Sequence, residues 1–430
     1  MTDTSTKTTV LLTLSMLKGV GPAALRNVAQ IPFFEEEGIL ELLAQLPRNA
    51  GANIDASAIS AAVAEAGRQS DMAQSAGARI ISTADPEYPS LLKRTKDDPQ
   101  ILFVKGKLAE APEKSVAIIG TREPTEHGKI IANRLTKFFV EEGWSVVSGL
   151  ALGCDALAHE AALDAGGHTV AVLAHGLQTV APSRHKKLAA RILESGGALV
   201  TEYKFGQEPL PTNFVKRDRI QAGFAQGVVM VQSDLVGGSL HASRASIGYG
   251  RWLAVPFPTD LDVSRSEPKI QANLLLADGT PKEKAALLKC EQRDLERIIT
   301  LRSKSDYARM LGTQHPAEPQ PAPVQEPIGD LFSISPAAAY TSAPIAAPTL
   351  PPVQPPPKVN RVNQILLEHI KMVEEQLEVY HRGFVEHGRE IDQNNHYQQL
   401  MRDFDQLQES LRRVRELEFT LVQEQKVQQP

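Results

Sequence analysis

Two short β-branched runs end in glycine about thirty residues apart, Val116-Ala117-Ile118-Ile119-Gly120-Thr121-Arg122 and Val146-Val147-Ser148-Gly149-Leu150-Ala151-Leu152-Gly153-Cys154-Asp155. A strand that stops at glycine before a helix turns backbone N–H groups toward an anion, so Gly120 and Gly149 read as a phosphate cradle. Arg122, beside a helix N-terminus, adds a bidentate phosphate donor unless it pairs with Glu123 or Glu126. The first turn lacks the second and third glycines of the dinucleotide fingerprint, and no acidic residue ends the next strand to grip a ribose. That argues against an ordinary NAD enzyme. Asp155 either caps the following helix or serves a ligand. His159 shares its face, but no second His or Cys completes a metal site.

The next block runs from Pro211 to Gly223. It sets Lys216, Arg217 and Arg219 beside Phe214, a combination suited to single-stranded nucleic acid, with cations along the phosphates and the ring against a base. Gly237-Gly238-Ser239-Leu240 follows another strand and opens another helix, giving a further strand-end anion site, on the same carboxyl edge as the other turns. Ser148 and Ser239 have no assignable His–Asp partners, and Glu202 is a single strand-end carboxylate. No enzymatic activity, metal or cofactor is therefore expected.

The elements that must hold these residues follow from composition and pattern. The chain has 430 residues and is 42% hydrophobic, enough to bury a sizeable core in two or three domains. Its net charge of −5 does not exclude nucleic acid, because between Pro182 and Arg251 basic residues outnumber acidic ones by about two to one. Cys154 and Cys290 lie far apart, with neither zinc spacing nor a disulfide framework, which points to a reducing cytoplasm. The N-terminus is Thr- and Asp-rich, and no run reaches the roughly 18 apolar residues of a membrane span, so neither signal peptide nor membrane anchor is expected.

Residues 1–78 read as short helices. Leu17-Lys18-Gly19-Val20-Gly21-Pro22-Ala23 fits a helix-hairpin-helix, which either contacts a DNA backbone or only packs. Residues 79–305 alternate strand, glycine turn and helix. They are expected to form an α/β domain with a mainly parallel sheet, with strands at Arg79–Ser82, Ile101–Lys105, Ser115–Ile119, Ser145–Ser148, Thr169–Leu173, Ala198–Thr201, Gly227–Val231 and Leu253–Val255. A helix from Lys129 to Glu142 joins the third and fourth. Residues 306–359 are dense in Pro and Ala and read as a disordered linker carrying one apolar island, Ile328 to Phe332. In 360–430, Phe404, Leu407, Leu411, Val414, Leu417 and Leu421 form an amphipathic stripe, for a folded-back hairpin or a coiled coil with a further protein partner.

Taken together these blocks resemble the DNA-processing protein A family, DprA or Smf. The likeness starts at Asp85-Pro86-Glu87-Tyr88-Pro89 and Pro99-Gln100-Ile101-Leu102-Phe103. It continues through Ile119-Gly120-Thr121-Arg122, Ser148 to His159 and Asn213 to Gly223, and ends with Gly238-Ser239-Leu240, Ala254-Val255-Pro256 and Gln271-Ala272-Asn273-Leu274. The resemblance implies an extended Rossmann-like domain that binds single-stranded DNA, dimerises, protects incoming strands and assists loading of a RecA-type recombinase in natural transformation, without known enzymatic activity. It implies that Arg122, Lys216, Arg217 and Arg219 hold phosphates, that Phe214 stacks, that Gly120, Gly149, Gly238 and Ser239 shape the pocket, and that Asn213 belongs to the same site. The chain departs from the family pattern at Asp218 (usually Asn), Gln232 (Glu), Ala242-Ser243 (Thr-Ala) and Phe257 (Gly), and the usual C-terminal winged helix is not visible. An added carboxylate at Asp218 repels phosphate unless Arg217 or Arg219 neutralises it. Two other readings compete. One is a sensor of nucleotide-derived signals that uses the same glycine edge, with the helical tail as output. The other is the related cytokinin-releasing phosphoribohydrolase, whose Pro-Gly-Gly-x-Gly-Thr motif and catalytic Glu are absent.

Overall fold

The protein is described here from a computed structural model, in which residues 4–46 and 54–312 are described. The linker, the apolar island and the amphipathic tail expected beyond residue 312 lie outside the described residues. Four helices come first: α1 (Thr6–Ser15), α2 (Pro22–Ala29), α3 (Ile39–Ala44) and α4 (Ala56–Ser75). Ser5 and Asp55 start α1 and α4 by accepting hydrogen bonds from the amides of Thr8 and Ala58. Pro22 opens α2 directly after the Gly19-Val20-Gly21 turn.

The sheet is built from β1 (Ala78–Ser82), β2 (Ile101–Gly106), β3 (Ser115–Ile119), β4 (Ser145–Ser148), β5 (Thr169–Val172), β6 (Ala198–Thr201), β7 (Gly227–Met230), β8 (Trp252–Pro256) and β9 (Ile298–Leu301). Their spatial order is β1-β2-β6-β5-β4-β3-β7-β8-β9, parallel except for the β1–β2 and β2–β6 pairs. All eight expected strands are present. β9 was not anticipated, because its four residues sit in a charged stretch, yet Leu253↔Ile298 through Pro256↔Leu301 pair it to β8.

Between the strands lie α5 (Ser90–Lys93), α6 (Glu126–Glu141), α7 (Cys154–Asp164), α8 (Lys186–Glu194), α9 (Pro211–Phe224), α10 (Ser239–Gly248), α11 (Asp260–Ser264), α12 (Gln271–Asp278) and α13 (Pro281–Leu288), with α14 (Ala308–Gly312) after β9. Successive strand residues point to opposite faces. Ala117, Ile119, Val228 and Met230 accordingly pack with Ile220 and Leu240 of α9 and α10. Val116, Ile118 and Val229 pack on the other side with Leu135 and Phe139 of α6 and Ala158 of α7. Helix α6 starts three residues before the expected Lys129 because Thr125 caps it, accepting from the Gly128 amide. The N-terminal helices bury Leu11, Leu14, Ala66 and Ala73 against Ile80, Ile101 and Phe103 of β1 and β2.

The winding direction fixes where a ligand would sit. From β3 the chain builds outward through β4, β5 and β6, then returns to the far side of β3 with β7. The carboxyl ends of β3 and β7 therefore flank a topological switch point, where loops diverge and leave a crevice. Among the described residues no helix is long and apolar enough to cross a membrane.

Candidate nucleic-acid interface

A cleft of about 580 Å³ opens at this switch point. The β3 turn (Gly120, Arg122), the inner face of α9 (Phe214, Asp218), and Gly238 and Ser239 at the start of α10 line it. A larger concavity of about 970 Å³, between α6 and α14, contains none of the glycine turns, and its lining of Lys137, Phe138 and Tyr307 sets no groups around a common centre.

Gly120 is needed for close packing: a Cβ there would come within 2.5 Å of Cys154 Sγ. Arg122, two residues on, is exposed and makes no ion pair within 4 Å among the described residues, though it acts electrostatically on the Asp218 carboxyl; Glu126 is engaged instead by Lys129. The Arg122 guanidinium lies 6.0 Å from the centroid of the Phe214 ring. Gly238 is the residue preceding α10, and Ser239 donates to the Ser233 hydroxyl at 2.8 Å. Ten residues of helix stand behind these amides, which favours negative charge at the cleft's edge.

The second glycine turn differs from the expected cradle. The Gly149 amide donates to Asp155 Oδ2 at 3.1 Å, and the Ala151 amide donates to the same oxygen at 3.3 Å. Gly149 O accepts from Arg217 Nη1 at 2.7 Å. Gly149 thus serves the protein's interior, and the reason for its lack of a side chain is plain: a Cβ would lie 2.6 Å from Asp155 Oδ2 and 2.7 Å from Arg217 Cζ. Asp155 does not cap α7, whose capping residue is Gly153; it closes the preceding turn instead.

Arg217 lines the cleft beside Phe214, but its donors are turned to the protein's own groups. It is 3% exposed and joins the ends of β4 and β5 by donating to Gly149 O and Val172 O, while its Nε donates to Asp218 Oδ1 at 3.2 Å. Arg219 points elsewhere, holding Glu202 through both guanidinium nitrogens at 3.0 and 2.7 Å. Lys216 is exposed, without a side-chain partner among the described residues and outside the lining of the cleft. The three cations do not form one patch because a helix turns about 100° per residue. Asn213 is buried, does not line the cleft, and leaves its amide nitrogen unpartnered.

The basic excess between Pro182 and Arg251 disperses in the same way. Arg251 is buried, donating to the carbonyls of Ala222, Gly223 and Ala225, and Arg191 pairs with Asp164. Sequence reading missed Lys269 and Gln221, both of which line the cleft. Lys269 comes from a turn far along the chain and pairs with Asp234 at 3.4 Å, a contact that no local pattern announces.

The acidic groups of the cleft are electrostatically constrained. Burial, with Asp155 nearby and against the pull of Arg217, pushes the Asp218 carboxyl up to about 7. Asp155 is also raised by burial, with Arg217 opposing. Arg217 is therefore the shared counter-ion of two buried acids. His159, on the face of Asp155, is held down at about 3 by burial and by His185 and Arg217, so it is neutral and bonds Thr169 Oγ1 at 2.7 Å. Ser148 donates to Ile118 O at 2.6 Å, and burial pushes the Cys154 thiol up, away from nucleophilic use. Among the described residues no group of three or more His, Cys, Asp or Glu is placed to hold a metal.

An open, doubly wound α/β sheet with a cleft at its switch point defines a Rossmann-like domain. Residues 79–280 match the model of the family described as DNA recombination-mediator protein A. This α/β region is similar to that family, DprA or Smf. The Escherichia coli K12 Protein Smf is 41% identical over 177 residues, and the Bacillus subtilis DNA processing protein DprA 36% over 182 residues. The aligned segments make up 41% and 42% of this chain but only 47% and 61% of those relatives' lengths. The X-ray structure of DNA processing protein A from Streptococcus pneumoniae superposes with a TM-score of 0.50 at 24% identity, over 64% of this chain and 99% of that one, a likeness of fold.

Proposed function

We propose that the cleft holds single-stranded DNA by its phosphates and one stacked base, and that the protein acts without catalysis in the cytoplasm. In this reading it protects incoming strands and assists a RecA-type recombinase during DNA uptake or recombination, as a homodimer whose C-terminal segment takes a further protein partner. The observation that carries the reading is the mouth of the cleft, where exposed Arg122, without a close ion pair among the described residues, lies by the half-buried Phe214 ring beside the start of α10. A cation over an aromatic ring accepts a base on the ring and a phosphate on the guanidinium. Lys216, on another face of α9 and outside the cleft, would extend the track beyond it, and the match of residues 79–280 to a family of recombination mediators supports the polymer as guest.

Anisotropy titration of the full chain with single-stranded and duplex oligonucleotides, across a salt series, tests this. Single strands should bind more tightly, with affinity falling as salt rises because phosphate contacts release counterions. Absence of a single-strand preference at low salt overturns it. The volume of the cleft also admits one nucleotide. Thermal stabilisation by a mononucleotide but not by an oligonucleotide would favour the sensor reading instead.

A further inference from the structure

Helix α9 presents Phe214, Asp218 and Gln221 to the cleft at positions i, i+4 and i+7, one face of the helix. Asp218 is anchored through one oxygen only. Its Oδ1 accepts from Arg217 Nε at 3.2 Å and from Gln221 Nε2 at 3.0 Å. Its Oδ2 makes no hydrogen bond among the described residues and is not sealed from solvent, as the unpartnered Gln221 Oε1 is. The cleft wall therefore carries a pre-aimed acceptor one turn below the ring on which a base would stack. Arg122 acts on this carboxyl electrostatically but makes no hydrogen bond to it, so Oδ2 stays open to a donor from the guest.

We infer that Asp218 reads the amine edge of the base stacked on Phe214, so that this cleft prefers cytosine to uracil or thymine at that position. Cytosine offers its N4 amine to an aspartate, whereas uracil and thymine place the O4 acceptor there, oxygen against oxygen. Adenine, with its N6 amine, falls on the favoured side. The inference rests on the single-strand reading above and adds base selectivity to it.

Oligo-dC and oligo-dU of equal length isolate the contact, since both are pyrimidine strands with the same backbone. Titration of the full chain at pH 8, where Asp218 is ionised, should show about tenfold tighter binding of dC, the ratio expected of one charge-assisted hydrogen bond. The ratio should collapse toward one in Asp218→Asn, whose amide both donates and accepts. Equal binding of dC and dU by the unaltered chain overturns the inference while leaving the single-strand reading intact. Failure of both strands to bind overturns the reading itself. A dC preference that persists in Asp218→Asn, with that variant folded by circular dichroism, assigns the selectivity to another group and also overturns it.

Discussion

The first glycine turn, Gly120 to Arg122, leaves its guanidinium exposed and facing an aromatic ring, whereas the second, Gly149 to Gly153, is closed by Asp155 and Arg217 from within. Both follow buried parallel strands and both precede helices, so their sequence patterns are nearly alike. The difference comes from what α9 brings to each. Arg217 enters the second turn and donates to its Gly149 carbonyl, while Phe214, one turn earlier, stops at the mouth of the first. The first turn also spends its Thr121 amide internally, on Gln232 O at 2.8 Å, so what it leaves open to a ligand is the Arg122 side chain and not a cradle of amides.

The contrast breaks most sharply at Arg217. Arg217→Ala would leave Asp155 and Asp218 without their cation and Gly149 O and Val172 O without a donor, so it should cost about 3–5 kcal/mol, read as a lowered urea midpoint. A change below about 1 kcal/mol would mean that Arg217 is free to serve a ligand after all.

Glycine substitutions give the next largest effect. Gly149→Ala forces a methyl into Asp155 and Arg217 and should destabilise by about 3 kcal/mol. Gly238→Ala has nothing within 4 Å of the added carbon and should leave the urea midpoint within about 0.5 kcal/mol of the original. Equal costs at the two positions would erase the distinction between a filled edge and an open one.

Asp218 links the two turns through pH. Its folded-state carboxyl is raised to about 7, so the folded protein keeps this proton to higher pH than the unfolded chain does. The associated stability is present below the ordinary carboxylate range and is lost as pH rises from about 4 to about 7. Asp218→Asn removes that slope. It should stabilise the protein at pH 8 by about 1–2 kcal/mol, reduced from the full shift because the side chain is 15% exposed, and should change little at pH 4. The same protonation removes a negative charge from the cleft, so affinity for oligo-dU, which offers Asp218 no amine, should rise between pH 8 and pH 6 in the unaltered chain and stay flatter in the variant.

Strand positions were legible because β-branched runs stopped by glycine have few other readings, and eight strands lie where the pattern set them. Arg122 and Phe214 both line the cleft, one at a strand end and one near a helix start, positions a local pattern specifies. Arg219 does not reach the cleft and Arg217 lines it while bonded inward, because a run of cations on a helix is divided among faces, and their partners, Glu202 and Val172 O, are remote in sequence. Gln221 was present in the motif but silent, and Lys269 reaches the cleft only through a turn fixed by tertiary packing. Chemistry carried by one turn can be read from the chain; chemistry shared across strands needs the sheet order.

The smallest structural effect belongs to Arg122. It has no close ion pair to lose among the described residues and is exposed, so Arg122→Ala should leave thermal stability unchanged within about 0.5 kcal/mol. Its loss should appear instead in binding. Removing one phosphate contact from a single strand lowers the slope of log affinity against log salt by about 0.7. Lys216→Ala should lower the slope by a similar amount, and the double variant by the sum, because the two side chains share no partner among the described residues. If Arg122→Ala unfolds the protein, or leaves the salt slope untouched, the first turn is as closed as the second. The phosphate track must then be sought at the start of α10, where Lys269 and the amides of Gly238 and Ser239 remain.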